Sequence, residues 1–475
     1  MKPLVEVLSL QEIEQIHAAT VEVLETVGVE CQHEEALAVL RANGARVVGS
    51  RVYLSQALLT QVLATAPERF FLEARNPERS VWIGGGETIF APPAGCVYVQ
   101  ELGTTRRRAT RQDYASLVRI LHQSPYFGTN GGGIVIPDTP GLTDLENFTW
   151  LALAGHWYSD KPQMGLNFGG EITQAALDVC DIVFQGRPGC HVLGTVNPDS
   201  PLIFSKTMLD SLFLYVRAGQ PLIIAPCSMA MATSPTTLAG TLVMNNAEVL
   251  AGLTLAQLIK PGTPVLYGNT STISDMNTMA IAIGAPELAL LVSAVNQLAR
   301  YYKLPSRTGG ALTDAKTPDM QAGMESMLSM VATVTGHTSI VMHSAGILDS
   351  FLTISYEKLV MDEESGGMAK RLRQGLLVNQ ETLAVAEIQA KGPGSHFLDT
   401  DHTLQHFKQE FWRPAVCDRQ GYHSERDYAK YSLERAKKVW QDRLANYTLP
   451  LMPPAVQQAL LRYYRKKFDS EPNLE

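Results

Sequence analysis

From about residue 127 onward the chain keeps a rhythm that few folds can satisfy, with short apolar or small-residue runs alternating with long helical ones. The extended runs are FGTNGGGIVIP (127–137), PQMGLNFG (162–169), CHVLGTVNP (190–198), PLIIAPCSM (221–229), PVLYGN (264–269), PSRTGGAL (305–312), SIVMHSAG (339–346) and SHFLDTDHT (395–403). Helical segments separate most of them, the clearest at 238–259, 286–302 and 320–336. Strands joined by crossovers this long lie parallel, because an antiparallel pair needs only a short turn. Eight of them predict an α/β fold, the closed (β/α)8 TIM barrel. An open, doubly wound sheet is the competing architecture. The count of eight and the absence of a dinucleotide-binding glycine fingerprint favour the barrel.

The predicted barrel spans 126–403, with further segments on either side. Residues 1–125 read as helices plus a small antiparallel β subdomain. Ser9 and Glu12 form a capping box, apolar residues follow at helical spacing from Leu10 to Val27, and Gly28 closes the helix. A second helix is expected near 33–43. Between Phe70 and Arg108, FFLEARNP, VWIGGG, TIFAPPAG and CVYVQELG are extended runs broken by Gly and Pro. Residues 404–475 read as a helical, charged, Tyr-rich extension packed outside the barrel or in a subunit contact.

Composition narrows the partners. A net charge of −8 spread along 475 residues leaves no basic stripe, so no nucleic acid is expected. The two short basic runs, Arg106–Arg108 with Arg111 and Arg462–Lys467, do not amount to one, and the second reads as a solvated face. Six scattered cysteines without a C-x-x-C pair predict a reducing, cytoplasmic setting. No uninterrupted apolar run reaches the roughly 18 residues of a membrane span, and no signal-peptide pattern opens the chain.

In a barrel of this type the residues at the C-terminal ends of the strands face the active site. That rule nominates Asn167, Asn197, Cys227, Asn269 and His343, and from the last run Asp399 and His402. No carboxylate pair, acid with base, or nucleophile with base stands among them. Zinc would need three or four converging Cys, His or carboxylate ligands. Cys190 and His191 are neighbours on a strand and point to opposite faces. His402 and His406 stand at i, i+4, and there is no H-E-x-x-H. No catalytic metal is expected, and satisfied histidines are the plainer reading. The glycine runs 84–86 and 131–133 lack the lysine and hydroxyl of a phosphate loop and predict close backbone approach. Tyr98, Phe351 and Tyr356 fall near strand ends, where rings can hold a quaternary ammonium with about 2 kcal/mol when desolvated. From spacing alone, packed aromatics are the plainer reading.

Several longer motifs occur in order along nearly the whole chain: EARNP (73–77), GTTRRRAT (103–110), DKP (160–162), VNPDSPL (196–202), TTLAG (236–240), AEVLAGLTLAQLIKPGTPVLYG (247–268), SDM (274–276), PELAL (286–290), PDMQAGMES (318–326), GPGSHFL (392–398) and DHT (401–403). Through them the chain resembles the trimethylamine methyltransferase family, specifically its members without pyrrolysine. Those act on quaternary amines such as glycine betaine, proline betaine, carnitine or butyrobetaine. The resemblance implies an α/β barrel, methyl transfer to the cobalt of a corrinoid presented by a cognate partner protein, no tightly bound cofactor, and a homo-oligomer. In the trimethylamine enzymes a pyrrolysine lies around the seventh strand, where this chain reads SIVMHSAGILDSFLTISYEK, all ordinary residues. That departure moves the expected substrate from trimethylamine to a quaternary amine.

By the same resemblance Tyr98, His343 and Phe351 are expected to form the trimethylammonium cage, with Tyr356 and His17 as further members. Asn167 and Asn197 are expected to hydrogen-bond a substrate carboxylate or hydroxyl. Asn269 and the loop of Ser274, Asp275 and Met276 are expected to face the corrinoid, with loop capping as the alternative. Loss of a methyl from a quaternary ammonium yields a neutral tertiary amine, so no proton need be supplied. The missing acid–base pair then fits the chemistry. The rivals are a zinc-dependent methyltransferase acting on thiols or methanol, a noncatalytic betaine-binding barrel and, more remotely, a metal-assisted hydrolase.

Overall fold

The computed structural model describes residues 5–425, 428 and 431–474. Its centre is a ring of eight parallel strands: β1 (Ile89–Phe90), β2 (Asn130–Gly131), β3 (Gln163–Met164), β4 (Val192–Val196), β5 (Leu222–Ile224), β6 (Val265–Gly268), β7 (Ser306–Gly309) and β8 (Ile340–Met342). From β2 to β8 each pairs with the next strand in chain order, and β8 returns to β1 with Ile340 opposite Ile89. A single parallel bridge, Phe90 to Phe127, closes the ring between β1 and β2, and there the Gly128 N–H donates to the Phe90 carbonyl at 2.9 Å. A helix follows each strand, from Arg111–Gln123 after β1 to Tyr356–Gln374 after β8. The central strands VLGTV, LII and VLYG are almost entirely buried, as a parallel sheet wrapped by helices requires.

The eighth strand is not the expected 395–403 run. Thr400 there caps the helix Asp401–Glu410, its hydroxyl accepting from the Thr403 N–H, and no residue of that helix is buried. Too polar to lie between a barrel interior and a helix layer, SHFLDTDHT turns outward. The missing strand is β1, inside the segment expected to be antiparallel, where Pro92 and Pro93 stop it after two residues. Two other pieces of that segment do pair antiparallel, Arg69–Leu72 with Val81–Gly84 and Tyr98–Gln100 with Arg107–Arg108. The first hairpin inserts Phe70, Leu72 and Ile83 among Leu193, Ile223, Leu266 and Ile340. Leu72 also bridges to Cys190, just ahead of β4, so the hairpin plugs the N-terminal end of the ring.

The N-terminal helices sit outside the barrel. Helix Leu10–Thr26 starts at the Ser9–Glu12 capping box and packs on Leu238–Ile259, as do Glu34–Ala42 and Gln56–Leu63. Among the described residues, Leu238–Ile259 is the one helix long and apolar enough to cross a membrane. It is buried on nearly all sides, between the barrel strands and these three helices, which accounts for its hydrophobicity. At the other end of the chain, Tyr431–Ala445 packs on Tyr356–Gln374 and Arg111–Gln123, and Pro454–Phe468 packs on Gly170–Phe184. Asp427, Ala429 and Lys430, at the start of the expected tail helix, lie outside the described residues.

Gly28, which ends the first helix, has φ +71°, and a Cβ there would stand 2.4 Å from the Val52 carbonyl oxygen. Gly28→Ala is therefore expected to destabilise the protein by at least about 1 kcal/mol, measured as a shifted denaturant midpoint at unchanged slope.

Candidate active site

The C-terminal end of the ring opens into a cavity of ≈ 370 Å³ to which all eight strands contribute. Pro92 follows β1, Gly131 ends β2, Met164 ends β3, Thr195 lies in β4, Cys227 and Thr270 follow β5 and β6, Arg307 lies in β7 and Met342 ends β8. The glycine run after β2 is a place of close approach: a Cβ on Gly131 would overlap the Gln163 side chain.

His343 and Phe351 form one wall, their ring centroids 4.8 Å apart and tilted by 57°. Both have positive φ, as do Asp349 and Ser350, so three consecutive non-glycine residues lead up to and include Phe351 in the left-handed region. Such a conformation costs of the order of 1–3 kcal/mol per residue and persists only when the surroundings impose it. Here Asp349 pairs with Arg106 and, at 3.0 Å, with Lys316. The Ser350 hydroxyl donates to Asp314 at 2.6 Å. The loop is thereby clamped with Phe351 held against His343. Phe168, stacked on Phe148 at 4.3 Å, and the thioethers of Met164, Met208 and Met342 complete the soft surfaces.

His343 Nδ1 accepts the Ala94 N–H at 3.3 Å, so the neutral ring carries its proton on Nε2. Burial, with the Arg307 charge adding to it, pulls its pKa down to about 3. The ring is neutral at neutral pH and does not repel a cation.

Arg307 is 3% exposed. Its Nη1 donates to the Asn269 carbonyl at 2.8 Å and to the Thr270 hydroxyl at 2.5 Å, while Nε is buried without a partner. Among the described residues no carboxylate pairs with it, and burial lowers its pKa to about 10, which leaves it charged at neutral pH. A buried, charged guanidinium without an anion is costly. On the cavity floor it marks where an anionic group of a ligand would sit.

The structure brings Asn167, Asn197, Cys227, His343 and Phe351 together in this cavity. Asn167 Nδ2 donates to Asn197 Oδ1 at 3.1 Å, and Asn197 Nδ2 donates to the Ala225 carbonyl at 2.6 Å. Tyr98, Tyr356 and His17 are placed elsewhere. The Tyr98 ring already lies against the guanidinium groups of Arg106 and Arg108, at 4.5 and 4.9 Å. Tyr356 is packed on Trp440 behind the barrel wall and donates its hydroxyl proton to Asp113 at 3.2 Å. His17 lies on the first helix, 2.9 Å from the Tyr302 hydroxyl. Asn269 is buried and supports Arg307 through its carbonyl. Ser274 is buried in a short strand, whereas Asp275 is half-buried and accepts from the Asn277 and Thr278 N–H groups, which is loop capping. Asp399 and His402 lie on the outer segment after the barrel. Sequence reasoning missed Arg307, Phe168 and the three methionines. The signal available for Arg307 was a lone cation inside an otherwise small, uncharged strand.

A barrel closed at one end by a hairpin, with every strand delivering a residue to a soft-walled, cationic cavity at the other, places its cavity where α/β-barrel enzymes carry their active sites. The solved monomethylamine methyltransferase of Methanosarcina barkeri superposes with a TM-score of 0.54 at 10% identity, covering 92% of this chain and 88% of that one. The family model for trimethylamine methyltransferase matches residues 1–472, and the chain belongs to that family. It is a methyltransferase. Its relatives include the glycine betaine methyltransferase of Desulfitobacterium hafniense (strain Y51), 40% identical over 98% of both chains. The proline betaine:corrinoid methyltransferase of Eubacterium limosum is 34% identical over 96% of both. The L-carnitine:corrinoid methyltransferase of the same organism is 30% identical, over 92% of this chain and 93% of the relative.

Burial also holds His156 down to about 3 and His122 to about 4, so three imidazoles are neutral in the folded protein. The unfolded chain takes up these protons near the ordinary value of 6.5, before the folded one does. The stability tied to the neutral rings is therefore complete above pH 6.5 and is lost as pH falls toward 4 and then 3. The melting temperature should hold between pH 7 and 8 and fall steadily below about 6.5. Ligand affinity, set partly by a His343 that stays neutral, should show no inflection near 6.5 when titrated calorimetrically.

Proposed function

We propose that the protein removes a methyl group from a small quaternary amine that also carries a carboxylate, a betaine, and passes it to the cobalt of a corrinoid held by a partner protein. The observation that carries this reading is the buried Arg307 guanidinium, without an acidic partner, in the same ≈ 370 Å³ cavity as the His343–Phe351 pair. A zwitterion satisfies both ends: its carboxylate neutralises Arg307, and its trimethylammonium meets polarisable rings and thioethers. The glycine betaine, proline betaine and carnitine methyltransferases among its relatives support the same substrate class.

The chain's own residues orient and desolvate. Arg307 fixes one end of the ligand, the Asn167–Asn197 pair offers amide groups beside it, and the aromatic wall excludes water around the methyl groups. No proton transfer is asked of them, because the departing amine leaves neutral. Cobalt(I) of the corrinoid supplies the nucleophile. The cavity is smaller than a corrinoid macrocycle, which fits a cofactor presented at the mouth by another protein. All six cysteines are free thiols, in keeping with a cytoplasmic setting, and the exposed Leu376, Leu377 and Val378 favour a homo-oligomer.

The direct test mixes the protein with glycine betaine and cob(I)alamin, or a purified corrinoid protein, and follows the absorbance of methyl-cobalt. Betaine binding without methyl-cobalt would sink the transfer and leave a binding barrel. Arg307→Gln should raise KM for glycine betaine by roughly 10- to 100-fold, the loss of a charge-assisted pair worth about 1.5–3 kcal/mol. It should leave choline, which has no carboxylate, little changed. Phe351→Ala should weaken turnover by about tenfold, whereas Tyr98→Ala, whose ring is occupied by two arginines, should not.

A further inference from the structure

Glu248 is the only charged residue in the 22-residue helix Leu238–Ile259. It is completely buried, and among the described residues no cation pairs with it. A buried carboxyl group persists only where its oxygens are hydrogen-bonded. Oε1 accepts the Leu202 N–H at 2.7 Å, and Oε2 accepts the Ser200 hydroxyl at 2.8 Å. Both donors belong to the loop that Asn197 opens after β4. Leu202 has φ +60°, a left-handed conformation that its surroundings must impose, and Glu248 supplies one of the bonds that does so.

The bonding continues beneath the mouth. The Ser228 hydroxyl donates to Ser200 Oγ at 2.9 Å, and the Ser228 N–H donates to Ser271 Oγ at 3.0 Å. The Ser271 hydroxyl donates to Asn245 Oδ1 at 3.1 Å, and the Ser271 N–H to Asn269 Oδ1 at 3.1 Å. Asn245 stands one turn ahead of Glu248, on the same helix face. Asn269 in turn gives its carbonyl to Arg307. Ser228, Asn245, Asn269, Ser271 and Arg307 are all buried, so water does not compete for these bonds. One helix face thus reaches the undersides of the loops after β4, β5 and β6, which carry Asn197, Cys227 and the seat of Arg307.

We infer that Glu248 is a positioning residue for the carboxylate end of the substrate, holding Asn197 and the seat of Arg307 in register through Ser200, Ser228 and Ser271. The role rests on the reading of Arg307 as the partner of the substrate carboxylate. Glu248 does not line the cavity and acts only through these residues. Burial raises its pKa to about 7. Protonation turns the Ser200 bond round without breaking it, because a carboxylic acid donates where the carboxylate accepts and a hydroxyl oxygen has two lone pairs. The register therefore does not follow pH. A glutamine preserves the same bonds, its carbonyl accepting from Leu202 and its amide donating to Ser200. An alanine leaves the Leu202 N–H and the Ser200 hydroxyl without this partner.

The test measures the affinities of the full-length protein for glycine betaine and choline by calorimetric titration, with melting temperatures alongside. Glu248→Ala should weaken glycine betaine about tenfold, within the coupling that members of one hydrogen-bond network show, and choline by less than about twofold. Glu248→Gln should bind both as the wild type does. In an Arg307→Gln background, Glu248→Ala should cost glycine betaine little more. Should Glu248→Ala fail to fold, Ser200→Ala, which cuts the path to Ser228 and spares the Leu202 bond, should still weaken glycine betaine selectively. Equal losses for both ligands, a loss undiminished in the Arg307→Gln background, a Glu248→Gln as weak as Glu248→Ala, or a Ser200→Ala without effect would each overturn the role. An Arg307→Gln that binds glycine betaine like the wild type would sink the carboxylate reading and the role with it. Binding is read here and not turnover, so a wild type that makes no methyl-cobalt would sink methyl transfer alone.

Discussion

The seam between the first and second strands is the joint on which the rest of the ring hangs. It consists of a two-residue strand and one bridge, and its strength comes from Lys161. The buried Nζ donates to the carbonyls of Leu121, Ser124 and Phe127 at 2.7, 2.7 and 2.8 Å. Those carbonyls belong to the end of the helix after β1 and to the approach of β2, so one lysine, its pKa drawn down to about 7 by burial, satisfies groups that burial would otherwise leave unpaired. Phe90 stacks on Tyr126 at 4.1 Å across the same joint. With the seam shut, the eight strand ends have no freedom to spread, and the mouth cavity inherits its shape from a ring rather than from loops.

That rigidity carries an electrostatic imbalance. The mouth contains a buried cation and a histidine held neutral, and among the described residues no acid pairs with either. The Asn269 carbonyl and Thr270 hydroxyl hold Arg307 in place without cancelling its charge. A site left in this state costs folding free energy, which the proposed zwitterionic substrate would return on binding. The strained residues Asp349, Ser350 and Phe351 follow the same logic, since their conformation is imposed by ion pairs outside the cavity and exploited inside it.

Much of the ring was legible because VLGTV, LII and VLYG are apolar on both faces, a pattern that parallel strands under helices require. The first strand was not legible. Two residues ahead of a Pro-Pro pair carry no periodicity, and only closure with β8 and Phe127 makes them a strand. The strand-end rule pointed to Asn167, Asn197, Cys227 and His343, and the reading of aromatics near strand ends to Phe351, all of which line the cavity. Arg307 escaped because it lies two residues before the end of β7, where the rule does not look. Tyr98, Tyr356 and His17 illustrate the opposite limit. Their partners decide where each ring can serve: two arginines of the same hairpin for Tyr98, and, from distant parts of the chain, Asp113 with Trp440 for Tyr356 and Tyr302 for His17.

The long apolar helix Leu238–Ile259 sets a requirement on synthesis. A stretch of 22 residues suited to a bilayer is a hazard while it is naked, because machinery that sorts emerging chains reads length and hydropathy rather than destination. The helices that cover it, Leu10–Thr26, Glu34–Ala42 and Gln56–Leu63, leave the ribosome first. The order of the chain thus places the shield ahead of the segment it must hide, and makes the N-terminal region an escort for the nascent barrel.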